Sequence, residues 1–142
     1  MTDARPLEVD LLGYTVGLDT ARVAEPDTEI SRQLRAYGAG EREAFDLRVG
    51  YPGTFTGRVW ERIGRIPYGE TRTYGELAAE LGTAPIAVGG ANARNPLPVV
   101  VPCHRVVGTD SLRGYRYPGL EEALLRHEGS ADSLGFDLDG SV

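Results

Sequence analysis

Apolar positions along this chain recur with two periods, and each period predicts an element. Leu11 to Leu18 (LLGYTVGL) reads as a short strand or hairpin arm. From Thr28 to Tyr37 the apolar residues fall at 30, 34 and 37, one face of a helix, and Gly38 stops it. Gly40 to Pro52 is a polar connector with a short extended piece expected at Phe45–Val49. Thr54 or Thr56 caps a helix that carries Val59, Trp60 and Ile63 on one side. Pro67-Tyr68-Gly69 predicts a turn. Thr73 then caps a further helix, with Glu76 completing a capping box and Leu77, Ala78 and Leu81 on the apolar face; Gly82 ends it. Ile86 to Ala93 (IAVGGANA) is a short helix of small residues, which let a backbone approach another helix or a nucleic acid closely. Helix 73–81, a turn and helix 86–93 have the outline of a helix-turn-helix, a pattern also common in any α+β domain. Asn95-Pro96-Leu97-Pro98 predicts an extended, turn-rich crossing, and Val99–Val101 a buried strand. Residues 120–128 (LEEALLRHE) close the fold as a helix with Leu120, Leu124 and Leu125 inward. The last dozen residues read as a frayed acidic tail.

Composition narrows the class. A chain of 142 residues and 15.3 kDa holds one domain, or one domain and a short extension. Its 41% apolar content excludes a disordered tail, a collagen-like repeat and a disulfide scaffold. No apolar run is long enough to cross a bilayer, so no membrane partner is expected. The first 30 positions are acidic and lack the layout of a signal peptide, so a reducing, cytoplasmic setting is expected. Cys103 is the single cysteine, which leaves no internal disulfide and no multi-cysteine zinc site.

The charge is unusual. Net charge is −6, and all 15 basic residues are Arg. An acid-rich, Lys-free chain suits a halophile, whose cells hold molar salt; a GC-rich genome is the other source of Arg in place of Lys. A charge of −6 taken whole argues against a nucleic-acid partner. Its distribution does not. Residues 1–53 carry −4 and residues 129–142 carry −3, while Thr54 to Glu128 carries +1 with nine Arg. The acidity sits at the two ends, and the middle can face a polyanion.

Cys103 follows an apolar run and precedes His104 and Arg105. A thiol is a useful nucleophile only as its thiolate, and a neighbouring base promotes that form. His104 supplies a base, and Glu128 is the acid at the end of the closing helix. An arbitrary lone cysteine beside a strand is more often a buried small hydrophobe, and adjacency to His alone decides little.

A longer stretch decides more. Asn95-Pro96-Leu97-Pro98-Val99-Val100-Val101-Pro102-Cys103-His104-Arg105-Val106-Val107-Gly108 closely resembles the active-site stretch of the O6-alkylguanine-DNA alkyltransferases, the methylated-DNA–protein-cysteine methyltransferases. Gly53-Thr54-Phe55 with Val59-Trp60 resembles the start of that family's DNA-binding domain. Ile66 to Ala78 (IPYGETRTYGELA) resembles the first helix of its helix-turn-helix, and Val88-Gly89-Gly90-Ala91 its recognition helix. Gly114-Tyr115-Arg116-Tyr117 and Leu124-Leu125-Arg126-His127-Glu128 resemble its substrate loop and final helix. The resemblance covers roughly residues 40–129.

It implies an α+β fold: a truncated N-terminal α/β segment (1–52), then a winged helix-turn-helix-like DNA-binding and alkyl-transfer domain (53–129), then the acidic tail (130–142). Within the second part, the helix-turn-helix spans about 73–93 and the active-site turn 102–105. It further implies a single-turnover DNA repair enzyme, a monomer without cofactor or metal. This enzyme binds duplex DNA, flips O6-alkylguanine out of the stack and moves the alkyl group irreversibly to Cys103. By resemblance, Glu128 orients His104, and His104 takes the Cys103 proton through a water. Tyr74 helps rotate the nucleotide and donates to the base, and Asn95 ties the helix-turn-helix to the active-site turn. The carbonyls of Cys103 and Val106 accept from the guanine amino group, and Tyr115 and Arg116 line the alkyl pocket. Thr73, Tyr74, Ile86, Gly89, Gly90 and Ala91 face DNA, with Arg72 and Arg94 on phosphates.

The chain departs from that pattern in places. Where the family carries an Arg finger at the start of the recognition helix, this sequence has Ile86 in a segment about two residues shorter. An apolar wedge can still prop a gap between bases, but it cannot hydrogen-bond an orphaned cytosine. The family's Gly-Gly before the last helix is Pro118-Gly119 here, and that helix is about two residues short. Three other readings compete. A non-catalytic, alkyltransferase-like lesion-binding protein that signals to excision repair would lack the active cysteine, which this chain keeps. A transcriptional regulator does not explain Cys-His with a distal Glu. A Cys-His hydrolase does not use an adjacent Cys-His-Arg.

Overall fold

A computed structural model describes residues 6–108 and 119–129. Strands β1 (Leu7–Leu11) and β2 (Tyr14–Leu18) pair antiparallel, with Val9 opposite Val16. Leu12 and Gly13 join them with φ of 51° and 86°. Two left-handed residues in a two-residue loop match the twist of the flanking strands. The expected arm at Leu11–Leu18 is therefore a complete hairpin whose first strand begins at Leu7. Alternation puts Val9, Leu11, Val16 and Leu18 on one buried face. Helix α1 (Asp27–Gly38) lies against that face through Ile30, Leu34 and Tyr37. Gly38 permits the approach: a Cβ there would sit 2.7 Å from Leu11 Cδ1.

The connector after α1 forms no strand at Phe45–Val49. Val49 makes one isolated antiparallel bridge to Val23, and Phe45, Leu47 and Val49 lie half-buried against the core. Alternating apolar residues here seal an edge, with no partner strand to complete a ladder.

Helix α2 (Phe55–Ile63) starts at Thr54, whose Oγ1 accepts from Gly57 N at 3.1 Å. Strand β3 (Arg72–Thr73) leads into helix α3 (Tyr74–Leu81). The expected capping box is present: Thr73 Oγ1 accepts from Glu76 N, and Glu76 Oε1 accepts from Thr73 N. Gly82 ends α3 in the left-handed region, at φ 67°. Helix α4 (Pro85–Ala93) follows with Pro at its first position, where the missing N–H costs nothing. Trp60 Nε1 donates to Ala91 O at 2.8 Å and ties α4 to α2.

Val99–Val101 is not a strand. Pro98 and Pro102 bracket it without N–H groups, so no ladder can run through. Val101 N instead donates back to Leu97 O at 2.8 Å, and Val99, buried, takes φ 76°. A β-branched residue in the left-handed region is strained, and such strain persists only where the surroundings hold it. Strand β4 (Val106–Val107) pairs parallel with β3, and helix α5 (Leu120–His127) closes the described part. One hydrophobic cluster contains Leu34 and Tyr37 from the first segment and Ile66, Leu97 and Leu124 from the second. The acidic tail expected at 130–142 lies outside the described residues.

Gly57 supplies a test of α2. Gly to Ala in a helix normally stabilises by about 1 kcal/mol. Here a Cβ would lie 1.9 Å from the Pro52 carbonyl oxygen, so backbone must move. Gly57→Ala is expected to destabilise by about 2 kcal/mol or more, read by chemical denaturation. A stabilised variant would refute the close approach.

Candidate active site

Pro102 shapes the turn that presents Cys103. At φ −79° and ψ 70° it sits at the centre of an inverse γ-turn, closed by Cys103 N donating to Val101 O at 2.7 Å. Cys103, His104 and Arg105 then form a single 3-10 turn, stitched by Arg105 N to Pro102 O at 2.9 Å. All three are buried. Asn95 braces the approach: its Nδ2 donates to Val101 O at 2.8 Å and its Oδ1 accepts from Leu97 N at 3.0 Å. Asn95 thus reaches the active-site turn at Val101, two residues before the cysteine.

Glu128, one residue past α5, gathers donors from three other parts of the chain. His104 Nε2 lies 2.8 Å from Glu128 Oε2. Arg105 donates Nε to Oε1 and Nη2 to Oε2, each at 2.8 Å. Tyr37 donates its hydroxyl to Oε2 at 2.5 Å, and Gly69 N approaches Oε1 at 3.4 Å. Arg105 is further fixed by Nη1 to Ile66 O at 2.6 Å. Burial by itself would raise the Glu128 pKa, but the bonds from His104 and Arg105 outweigh it and hold the carboxyl well below the usual range. Tyr37 was not legible as a site residue, because its helical spacing reads as core. It is core as well as donor: His127 Nε2 donates to its carbonyl at 2.8 Å.

This ionised carboxylate decides the state of His104. A carboxylate only accepts, so Nε2 carries the proton. Burial lowers the imidazole pKa despite the pull of Glu128, so the ring is neutral and Nδ1 holds a bare lone pair. Nδ1 is buried and has no protein partner. Among the described residues, the other buried side-chain polar atoms without partners are Asn92 Oδ1 and both oxygens of Glu121. Asn92 borders the cysteine: its Nδ2 donates to Cys103 O at 3.3 Å and to Tyr74 Oη at 3.4 Å. Neither Asn92 nor Glu121 was picked out from the sequence; a polar residue on an apolar helix face was the available signal.

A protein-family model described as the 6-O-methylguanine DNA methyltransferase DNA-binding domain matches residues 54–130. The chain belongs to this family. A methylated-DNA–protein-cysteine methyltransferase of Methanosarcina acetivorans is 53% identical over 108 residues, covering 72% of this chain and 69% of that one. The counterpart in Archaeoglobus fulgidus is 46% identical over 113 residues, covering 72% and 76%. The crystal structure of Mycobacterium tuberculosis OGT in complex with DNA superposes with a TM-score of 0.66 at 45% identity, covering 78% of this chain and 74% of that chain. The α+β architecture expected from the sequence is that of these family structures.

The fold brings Glu128 onto His104, next in sequence to Cys103, with Asn95 bonded to the Val101 carbonyl and the Tyr74 hydroxyl to Asn92. The Cys103 carbonyl is already engaged by Asn92 Nδ2 and Val106 N. The helix-turn-helix surface needs one correction. Ala91 is fully buried and its carbonyl holds Trp60, so it packs α4 against α2 and does not face DNA. Gly89 and Gly90 are half-buried, and Ile86 projects with 86% of its surface exposed. Thr73 spends its side chain on the cap. Arg72 pairs with Glu70 at 3.0 Å, and exposed Arg94 reaches Thr56 Oγ1 at 3.4 Å. Tyr115 and Arg116 lie outside the described residues.

Removing the central charge should be costly. Glu128→Gln leaves Arg105 buried without its counter-ion, a loss of about 3–5 kcal/mol by denaturant unfolding. Because the folded pKa of Glu128 is depressed, its contribution is complete above pH about 4.5 and fades as pH falls further. The difference between wild type and variant should therefore shrink on acidification. A loss below about 1 kcal/mol at pH 7 would contradict the arrangement.

Proposed function

We propose that this chain repairs O6-alkylguanine in duplex DNA by moving the alkyl group irreversibly to Cys103. The observation that carries this reading is His104: a neutral, buried imidazole next to Cys103, with Nε2 committed to Glu128 and Nδ1 free to accept. The thiol proton passes through a water to Nδ1, and the imidazolium that forms is stabilised by Glu128. The thiolate attacks the alkyl carbon in line. The S–C bond forms, the C–O6 bond breaks, and the electron pair stays on the guanine. No cofactor enters this balance. The thioether is stable, so each monomer acts once, in the cytoplasm where the chain is expected to reside.

The alkyl carbon is unreachable in stacked DNA, so the nucleotide must be extruded. Exposed Ile86 at the start of α4 acts as the wedge that props the gap. Small Gly89 and Gly90 let the backbone of α4 come close to DNA, Arg94 and Arg72 serve phosphates, and Tyr74 donates to the rotated base. The same surface without transfer would be a lesion-binding protein, and the nucleophile separates the two readings.

Intact mass decides between them. Incubation in high potassium salt with a duplex carrying O6-methylguanine should add one methyl to wild type and none to Cys103→Ala. Binding without mass gain would reject transfer. Ile86→Arg should speed transfer from duplex more than from single strands, since only the duplex has a gap to fill. Equal acceleration on both would show that Ile86 does not act at the flipping step.

A further inference from the structure

Helix α5 carries a second buried carboxylate that the reaction above leaves unused. Glu121 is 3% exposed, and neither of its oxygens has a hydrogen-bond partner. It lies seven residues before Glu128, so the two share one face of α5, about 10 Å apart along the axis. Helix α5 packs on the Cys103–Arg105 turn, where Glu128 holds His104 and Arg105. Buried groups without partners are rare in folded proteins; among the described residues they are Asn92 Oδ1, His104 Nδ1 and both oxygens of Glu121, and Asn92 touches the Cys103 carbonyl. Tyr74, whose hydroxyl accepts from Asn92, is near enough to both Cys103 and Glu121 for their charges to raise its pKa after the larger effect of burial.

We propose that Glu121 is a protonated carboxylic acid facing the base pocket, and that it gives its proton to the guanine as the alkyl group leaves. This rests on the alkyl-transfer reading. Alkylation at O6 removes the N1 proton of guanine, and restoring guanine requires one. When the S–C bond forms and the C–O6 bond breaks, negative charge spreads over O6 and N1. N1 takes the Glu121 proton, the carboxylate left behind recovers a proton from solvent, and the Cys103 proton has separately gone to His104. A neutral carboxyl offers a donor, matching the N1 acceptor on that edge of the alkylated base.

The protonated state has a physical cause. Burial, with a smaller push from the charge of Glu122, raises the Glu121 pKa from 4.5 to about 8. The N-terminal end of α5 favours the charged form, but a helix end moves a pKa by about one unit, less than burial does here. Among the described residues, the titratable groups that interact with it are Glu122 on its own helix and Tyr74 from α3. A raised folded pKa gives stability that is complete below pH about 4.5 and lost as pH rises through about 8.

The test compares wild type, Glu121→Gln and Glu121→Leu in single-turnover transfer from an O6-methylguanine duplex between pH 6 and 9. Glu121→Leu is expected to slow transfer about 100-fold at pH 7. Glu121→Gln, which keeps a donor but has no proton to give, should fall between. All other groups are common to both proteins, so the ratio of Glu121→Gln to wild-type rate isolates Glu121; it should climb as pH passes about 8. Thermal midpoints give a readout free of activity: Glu121→Gln should gain on wild type from pH 5 to pH 8.5. A wild type that transfers, with both variants within twofold of it and a flat ratio, overturns the role of Glu121 alone. A wild type that never methylates Cys103 overturns the alkyl-transfer reading, and the proposal with it. If Glu121→Leu fails to fold, the Glu121→Gln ratio and midpoints still decide.

Discussion

The buried carboxylate of Glu128 is the constraint on which the rest of this structure turns. An unpaired carboxylate in a protein interior costs several kcal/mol, and only a full set of donors offsets that. Those donors come from places far apart in sequence: Tyr37 on α1, Gly69 in the turn before β3, and His104 and Arg105 in the active-site turn. None can move without exposing the charge to an unfavourable environment. The same contact therefore joins the N-terminal helix to the nucleophile's turn and sets the tautomer of the base beside it. Tyr68 extends the clamp: its ring lies 5.8 Å from the Arg105 guanidinium, and its hydroxyl donates to His127 O at 3.1 Å.

Two carboxylates on one face of one short helix illustrate how environment assigns chemistry. Glu128 meets cations and hydrogen-bond donors and stays charged. Glu121 meets none and is pushed toward neutrality. Divergent pKa values within one site are how a protein obtains a base and an acid from the same residue type at the same pH. In the reaction we propose, one end of the arrangement takes a proton from sulfur and the other supplies one to the base.

The nucleic-acid surface follows a similar economy. Helix α4 is nearly featureless, and its buried side holds Val88, Ala91 and Asn92 against α2, α3 and the cysteine turn. That leaves small residues and one exposed Ile86 outward. With acid concentrated at the chain ends and Arg in the middle, phosphate attraction is modest and falls further in concentrated salt. Shape then carries a larger share of binding.

Local signals were legible where local physics decides. The capping box at Thr73 and Glu76, the left-handed stop at Gly82, the apolar periods of α1, α2 and α5, and the Pro-Cys-His-Arg motif can all be read from neighbours within a turn or two. Val99–Val101 misled, because three β-branched residues read as a strand while the flanking prolines remove the N–H groups that a ladder needs. Ala91 misled because a small residue looks the same facing DNA or facing Trp60. Tyr37, Asn92 and Glu121 were invisible as site residues, since each looks like an ordinary member of a helix. The sequence by itself determined the helices and, through the Pro-Cys-His-Arg motif, the family, because those depend on residue type and short spacing. Only the tertiary structure decided which carboxylate is charged and which is buried without a partner, because a pKa depends on what the fold brings within a few ångströms.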